Sequence, residues 1–288
     1  MSLALLALLL ISCGQVETDK PKVDSPVLRA EVERVEPLLA WTCGGRIPAR
    51  RYDFPCVKEG DGVSMLGRWI IDTGDTDRFS AIIDSIGPDG RLWRNPERVN
   101  NDDDNSSSRD QLLGLLEATV ATRDRTGLLA VMRYVSSTGS LCPGDDRCRV
   151  TPSIRTAVKD VLDEKVGTAE RALDVETVYM EAETAPPTYR AYLVARKLML
   201  HIRTGTMNVG YARAAKRLAE RFPNSLFIEV VDKVSNDGSL KHVTRELTKC
   251  LASWQRPGPD WWGNAIERHC TDSMQGHELV ALGKYLLR

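Results

Sequence analysis

Apolar residues recur at three- and four-residue spacing along most of this chain, and nowhere in its 288 residues do they alternate long enough to commit to a sheet. That spacing lays an apolar stripe along each helix, and each stripe must be covered by another element. Leu128, Val131, Met132 and Val135 form one such face, and Ile154, Ala157, Val158, Val161 and Leu162 another. Tyr192, Ala195, Leu198, Met199 and Ile202 follow, then Tyr211, Ala215, Leu218 and Phe222. Leu226, Val230 and Val234 mark a further helix, as do Leu240, Val243, Leu247 and Leu251, and the last runs over 276–287. The fold class this predicts is mainly α, a single domain of antiparallel helical hairpins over 29–288.

Capping and breaking residues place the boundaries. Thr151-Pro152 and Pro223-Asn224-Ser225 are helix starts, and Pro186-Pro187 is a break. A first helix is expected over 30–40, kinked or split at Pro37. Ser64–Ile71 is an apolar stretch. The turn Asp72–Asp77 can cap the segment bearing Phe79, Ile82, Ile83 and Ile86, and Pro88-Asp89-Gly90 is a strong turn. The best organised local signal runs from Asn100 to Arg123: the acidic loop Asp102-Asp103-Asp104-Asn105, three serines able to cap, Asp110 at the positive end of the helix dipole, then Leu112, Leu113, Leu115, Leu116 and Val120.

At the N-terminus, Leu3–Ile11 is apolar but too short to span a bilayer. It leads into Leu10-Ile11-Ser12-Cys13, which resembles the lipobox of bacterial lipoproteins. The resemblance implies a signal segment over 1–12, acylation of Cys13, and a membrane partner through an N-terminal lipid anchor. The absence of Asp after Cys13 implies the outer membrane, facing the periplasm or the exterior. The polar, proline-containing stretch over 13–28 reads as a flexible tether.

Export fits the remaining cysteines. Cys43, Cys56, Cys142, Cys148, Cys250 and Cys270 are even in number, and six allow fifteen connectivities. The local solution is Cys43–Cys56, Cys142–Cys148 and Cys250–Cys270, each bond contributing on the order of 3 kcal/mol by the chain-entropy argument. A metal site at Cys250, His269 and Cys270 is the alternative, but no CxxC pair occurs and disulfides account for every cysteine. No metal and no cofactor is therefore expected.

Formal charge is nearly balanced, 39 basic against 40 acidic side chains, which argues against a general nucleic-acid partner. No nucleophile elbow, zinc-protease motif, P-loop or dinucleotide fingerprint is present. Arg109 and Asp110 are catalytic candidates, Asp110 as acid or base and Arg109 orienting an anionic group, against a plain reading as a stabilised helix start. Asp72, Asp75 and Asp77 are further carboxylates that a hydrolytic pair would draw on. The Asp102–Asn105 loop departs from the EF-hand pattern and reads as solvated. Trp254, Trp261 and Trp262 are ligand-binding candidates for sugar or peptide stacking, or else plugs on the core. Arg190, Arg196, Lys197, Arg203, Arg213, Lys216, Arg217 and Arg221 read as solvated basic faces pairing with Glu170, Asp174, Glu176, Glu181 and Glu183, or else as a basic face meeting anionic lipid or polysaccharide.

Leu92-Trp93-Arg94-Asn95-Pro96, the acidic loop, Ser108-Arg109-Asp110-Gln111 with its Leu-rich helix, and Phe222–Phe227 together resemble uncharacterised bacterial helical proteins of α/α-toroid type. Toroids of this kind often host carbohydrate-active enzymes, although a fold does not carry a reaction. Two functions are expected: a lipid-anchored envelope module that binds a glycan or protein partner or serves structurally, or a toroid-like enzyme acting on a glycan with carboxylate acid/base chemistry.

Overall fold

The computed structural model describes residues 23–39, 41, 62–94, 107–142, 148–186, 189–254 and 276–288. Among them are twelve α-helices and no strand beyond a single antiparallel bridge, Ile86 to Leu92, around the Pro88-Asp89-Gly90 turn. The mainly helical class is as the periodicity predicts. No helix among the described residues is long and apolar enough to cross a membrane.

The first helix, α1, spans Pro26–Val35. Ser25 accepts the Leu28 amide and Pro26 supplies the fixed first-turn φ, so the helix starts four residues earlier than its apolar stripe suggests. Leu28 is fully buried and belongs to the helical domain, while residues 1–22, with the expected signal segment and most of the expected tether, lie outside the described residues. Pro37 does split the segment: α1 stops at Val35 and a 3₁₀ turn takes Glu36–Leu38.

Helix α2 is Gly62–Thr73, and the left-handed Gly74 (φ 73°) ends it. A 3₁₀ turn and the short α3, Phe79–Ile83, follow. Helices α4, Arg109–Thr122, and α5, Thr126–Thr138, lead to Cys142–Cys148, a disulfide as expected. Both sulfurs lie within 3.4 Å of the Ser107 carbonyl oxygen, which ties this loop to the entry of α4. Helices α6, Pro152–Val161, and α10, Leu226–Ser235, start at Thr151 and Ser225, each hydroxyl accepting an amide at 3.4 Å. Between them lie α7, Thr168–Thr184, α8, Tyr189–Arg203, and α9, Val209–Arg221. Helix α7 buries only Asp174, Val178 and Ala182, a stripe too thin for apolar periodicity to reveal. Helices α11, Lys241–Ser253, and α12, Gly276–Leu287, complete the order.

Packing closes a circuit. Helix α2 lies on α4, α4 on α6, α6 on α7, α7 on α9, α9 on α10, α10 on α11, α11 on α12, and α12 returns to α2. Helix α8 contacts α4, α6, α7, α9 and α10, so it occupies the middle. Its residues Ala191, Tyr192 and Val194–Ile202 are all buried, as a helix surrounded by others requires. Helix α1 covers α11 and α12 from outside.

The α2–α4 contact depends on two glycines. A Cβ on Gly67 would lie 1.9 Å from the Gly114 carbonyl oxygen, and one on Gly114 would lie 2.4 Å from the Val63 carbonyl oxygen. Both obstacles are backbone, so the helices would have to separate. Gly67→Ala should therefore cost about 3 kcal/mol, the upper range for overpacking. A denaturant melt of the variant checks this; wild-type stability in Gly67→Ala would contradict the close crossing.

Candidate functional site

Charged side chains sit inside this circuit. Arg196, on α8, is fully buried and binds Glu117 of α4, 2% exposed, through Nε at 2.9 Å and through Nη2. The same guanidinium donates to the Ser64 hydroxyl at 2.6 Å and to the Ser64 carbonyl at 2.8 Å. The Ser64 amide donates at 3.1 Å to Gln111 Oε1, so α4 caps the first turn of α2. Gln111 Nε2 donates to Asp110 Oδ2 at 3.2 Å, and the Ser108 hydroxyl donates to Asp110 Oδ1. Asp110 is thus the outer end of a hydrogen-bonded chain running to Glu117. Ser108 stands at the N-cap position but gives its hydroxyl to Asp110 rather than accepting an amide, which departs from the expected cap.

A second cluster lies beside the first. Arg68 Nε donates to Asp72 at 2.6 Å and Nη1 to the Tyr192 hydroxyl, and the guanidinium lies 3.5 Å above the Phe227 ring. Asp72 also takes Arg203 Nη2 at 3.4 Å, and Glu278 approaches Arg68 Nη1 at 3.7 Å. Burial pushes the Glu278 and Glu117 carboxyls up, while Arg68 and Arg196, respectively, pull them back. Burial alone would lower Arg68, but Tyr192, Asp72 and Glu278 outweigh it and raise the guanidinium above its usual value.

A third cluster joins α6, α7, α8 and α9. His201 stacks on Tyr211 with centroids 4.0 Å apart, its Nδ1 3.4 Å from Asp160 and its Nε2 3.6 Å from Asp174. Tyr211 donates to Asp174, Arg171 holds Asp160, and Lys197 pairs with Glu181 while reaching the Ser153 hydroxyl at 3.1 Å. Burial pushes Asp174 up; at Asp160 it acts in the same sense, but Arg171 and His201 prevail and the carboxyl is lowered. No group of three or more His, Cys, Asp or Glu among the described residues is placed to hold a metal.

The sequence candidates scatter over these features. Asp72 is in the core cluster. Asp75 sits apart, accepting from Trp69 Nε1 at 3.0 Å and Arg78 at 2.7 Å, and Asp77 is exposed. Arg109 and Asp110 are half-buried at the start of α4. Trp254 is buried, and a Cβ on Gly276 would lie 2.7 Å from its ring, so it serves as packing on α12; Trp261 and Trp262 lie outside the described residues. So do Cys13, Cys43, Cys56, His269, Cys270 and the Asp102–Asn105 loop. Cys250 is disulfide-bonded, which removes it from the alternative metal site.

The basic faces need correction. Arg196 and Lys197 are buried, and the Arg203 side chain is 9% exposed; Asp174 is buried as well. The expected surface pairing holds for Arg217 with Glu183. Of the missed residues, Arg68, Glu117, His201 and Glu278, only Glu117 carried a clear signal: its neighbours Leu113, Gly114, Leu116, Ala118, Val120 and Ala121 leave it no polar side.

Comparison with protein-family models, curated proteins and solved structures gives no match for this chain. Its interior therefore has to be read from its own geometry. In this conformation Glu117 is closed off by Arg196, and Asp72 by Arg68 and Arg203. Carboxylates so bonded hold helices together.

Two variants check the electrostatics. Arg196→Met leaves Glu117 buried and unpaired and should cost about 3–5 kcal/mol, whereas Arg196→Met with Glu117→Leu should recover most of it. Chemical denaturation of both reads this. For Glu278 the folded carboxyl titrates above its ordinary value, so the native state binds more protons than the unfolded one. Its contribution is fully present below the ordinary value of 4.5 and is lost as pH rises through the folded one. Glu278→Gln should accordingly gain in Tm on wild type from pH 4.5 toward 8, and a pH series of melting curves measures it.

Proposed function

We propose that this chain is a lipid-anchored protein of the cell envelope whose helical domain is a binding or structural module. The observation that carries the module reading is that α8 occupies the middle of the helix circuit, with its charges paired to the helices around it. A glycan hydrolase of toroid type needs that middle open and two carboxylates facing a cleft. The closed circuit favours a toroid-like arrangement of antiparallel hairpins with a filled centre. The lipobox-like Leu10–Cys13 supports the anchor, with the outer membrane as its place. Disulfide bonding at Cys142, Cys148 and Cys250 supports an oxidising compartment.

Anchoring is tested with a clickable fatty acid fed to expressing bacteria. The wild-type chain should carry label in the membrane fraction and Cys13→Ser should carry none; an unlabelled wild type would overturn the anchor. The module reading is tested on purified envelope glycan. Release of reducing ends should stay at the level of Asp110→Asn, and a wild-type rate well above that variant would favour the enzyme.

A further inference from the structure

Helix α11 turns an apolar face to the core and a basic one to solvent. Val243, Leu247, Cys250 and Leu251 are buried. The residues it exposes are Lys241, His242, Arg245, Lys249, Ala252 and Ser253, with no acid among them. Lys241, Arg245 and Lys249 are spaced four apart, so they line one side of the helix. The Arg245 and Lys249 side chains are each 63% exposed, whereas Glu246, which bonds both, is 12% exposed. Three cations against that one carboxylate leave α11 with two positive charges in excess.

The helices beside it do not cover this stripe. On α10, Glu229 is turned to His242 at 2.9 Å and Asp232 pairs with Lys233. Helix α1 carries Arg29 and Arg34 against Glu31 and Glu33, and so adds no net charge. Helix α9 holds more cations, but it lies on the acidic α7, where Arg217 pairs with Glu183 and Arg221 donates to the carbonyls of Ala182 and Ala185. Apolar groups stand next to the α11 stripe. Arg34 of α1 donates to the Leu251 carbonyl of α11, and Val27, seven residues earlier and hence on the same side of α1, is 65% exposed. Leu38, in the turn after α1, is 57% exposed. Cations beside exposed apolar side chains suit the boundary between lipid headgroups and acyl chains.

We infer that the α1–α11 face, centred on Lys241, Arg245 and Lys249, docks on the anionic phospholipid headgroups of the membrane that carries the anchor. Its position rests on the lipid-anchor reading: ten peptide steps lead from Cys13 to Val23, and at full extension they reach at most about 35 Å. An acylated Cys13 therefore keeps the start of α1, and α11 beside it, close to the bilayer. Attraction between the stripe and anionic lipid adds to the anchor and weakens with salt. The domain then lies with α11 toward the membrane, and α6, across the circuit, faces away from it.

The test uses the full chain as Cys13→Ser, sedimented at low and at high salt with phosphatidylcholine vesicles with or without phosphatidylglycerol. Binding should be tighter with phosphatidylglycerol, and the excess should vanish at high salt. In the same background, Lys241→Gln with Lys249→Gln leaves Glu246 its Arg245 partner and should weaken the excess affinity about 25-fold, about fivefold for each cation. Arg213→Gln with Lys216→Gln removes the same charge from exposed positions of α9 and should leave binding near that of the parent. All four positions are exposed, so both variants should fold, which circular dichroism checks. Equal binding to the two kinds of vesicle would overturn the inference. So would an equal loss in the two double variants, which would make the attraction one of overall charge. Cys13→Ser takes acylation out of the assay, so a failure here is separate from a failure of the anchor, which the fatty-acid label reads.

Discussion

Arg196 and Glu117 bind each other across the middle of the domain, and the packing around them follows from the need to keep both satisfied. A buried guanidinium is tolerable only when its donors are met, and here Glu117 and the Ser64 hydroxyl and carbonyl meet them. Those partners come from α4 and α2, which fixes α8 against both. The glycine crossing of α2 and α4 is part of the same constraint, because the Gln111 bond to the Ser64 amide needs the two backbones in contact.

From that core the charge distribution becomes intelligible. Arg68 and Arg203 share Asp72 and bring α8 to α2, while Arg203 over Tyr285 brings it to α12. On the opposite flank His201 and Lys197 reach α6 and α7. Helix α8 thus holds its neighbours through ionic and hydrogen-bonded contacts as much as through apolar burial. Replacing a buried ion pair by apolar residues is often neutral in stability, so what these charges contribute is a defined position for each helix.

Much of the architecture was legible in the chain. Proline and hydroxyl caps located α6 and α10, Pro37 located the break after α1, and the close Cys142–Cys148 spacing located a disulfide. Helix α7 was not, because its buried stripe is three residues wide and one of those is Asp174. The ionic core was misread as a solvated face because Arg196, Lys197 and Arg203 recur on a helix that also carries exposed Arg190. The signal against that reading was in the same helix: Ala191, Tyr192, Val194, Ala195, Leu198, Leu200 and Ile202 leave no polar side for water. Asp110 was legible as a helix start. Its link through Gln111 to Glu117 was not, since that link depends on how closely α2 and α4 approach.

Native-state hydrogen exchange of α8 tests the central claim directly. If the helix is held from all sides by paired charges, amides from Ala195 to Met199 should exchange only through global unfolding, with the full stability of the domain. Exchange of those amides through a local opening well below that limit would contradict the account, because it would mean that the middle of the circuit opens while the rest stays folded.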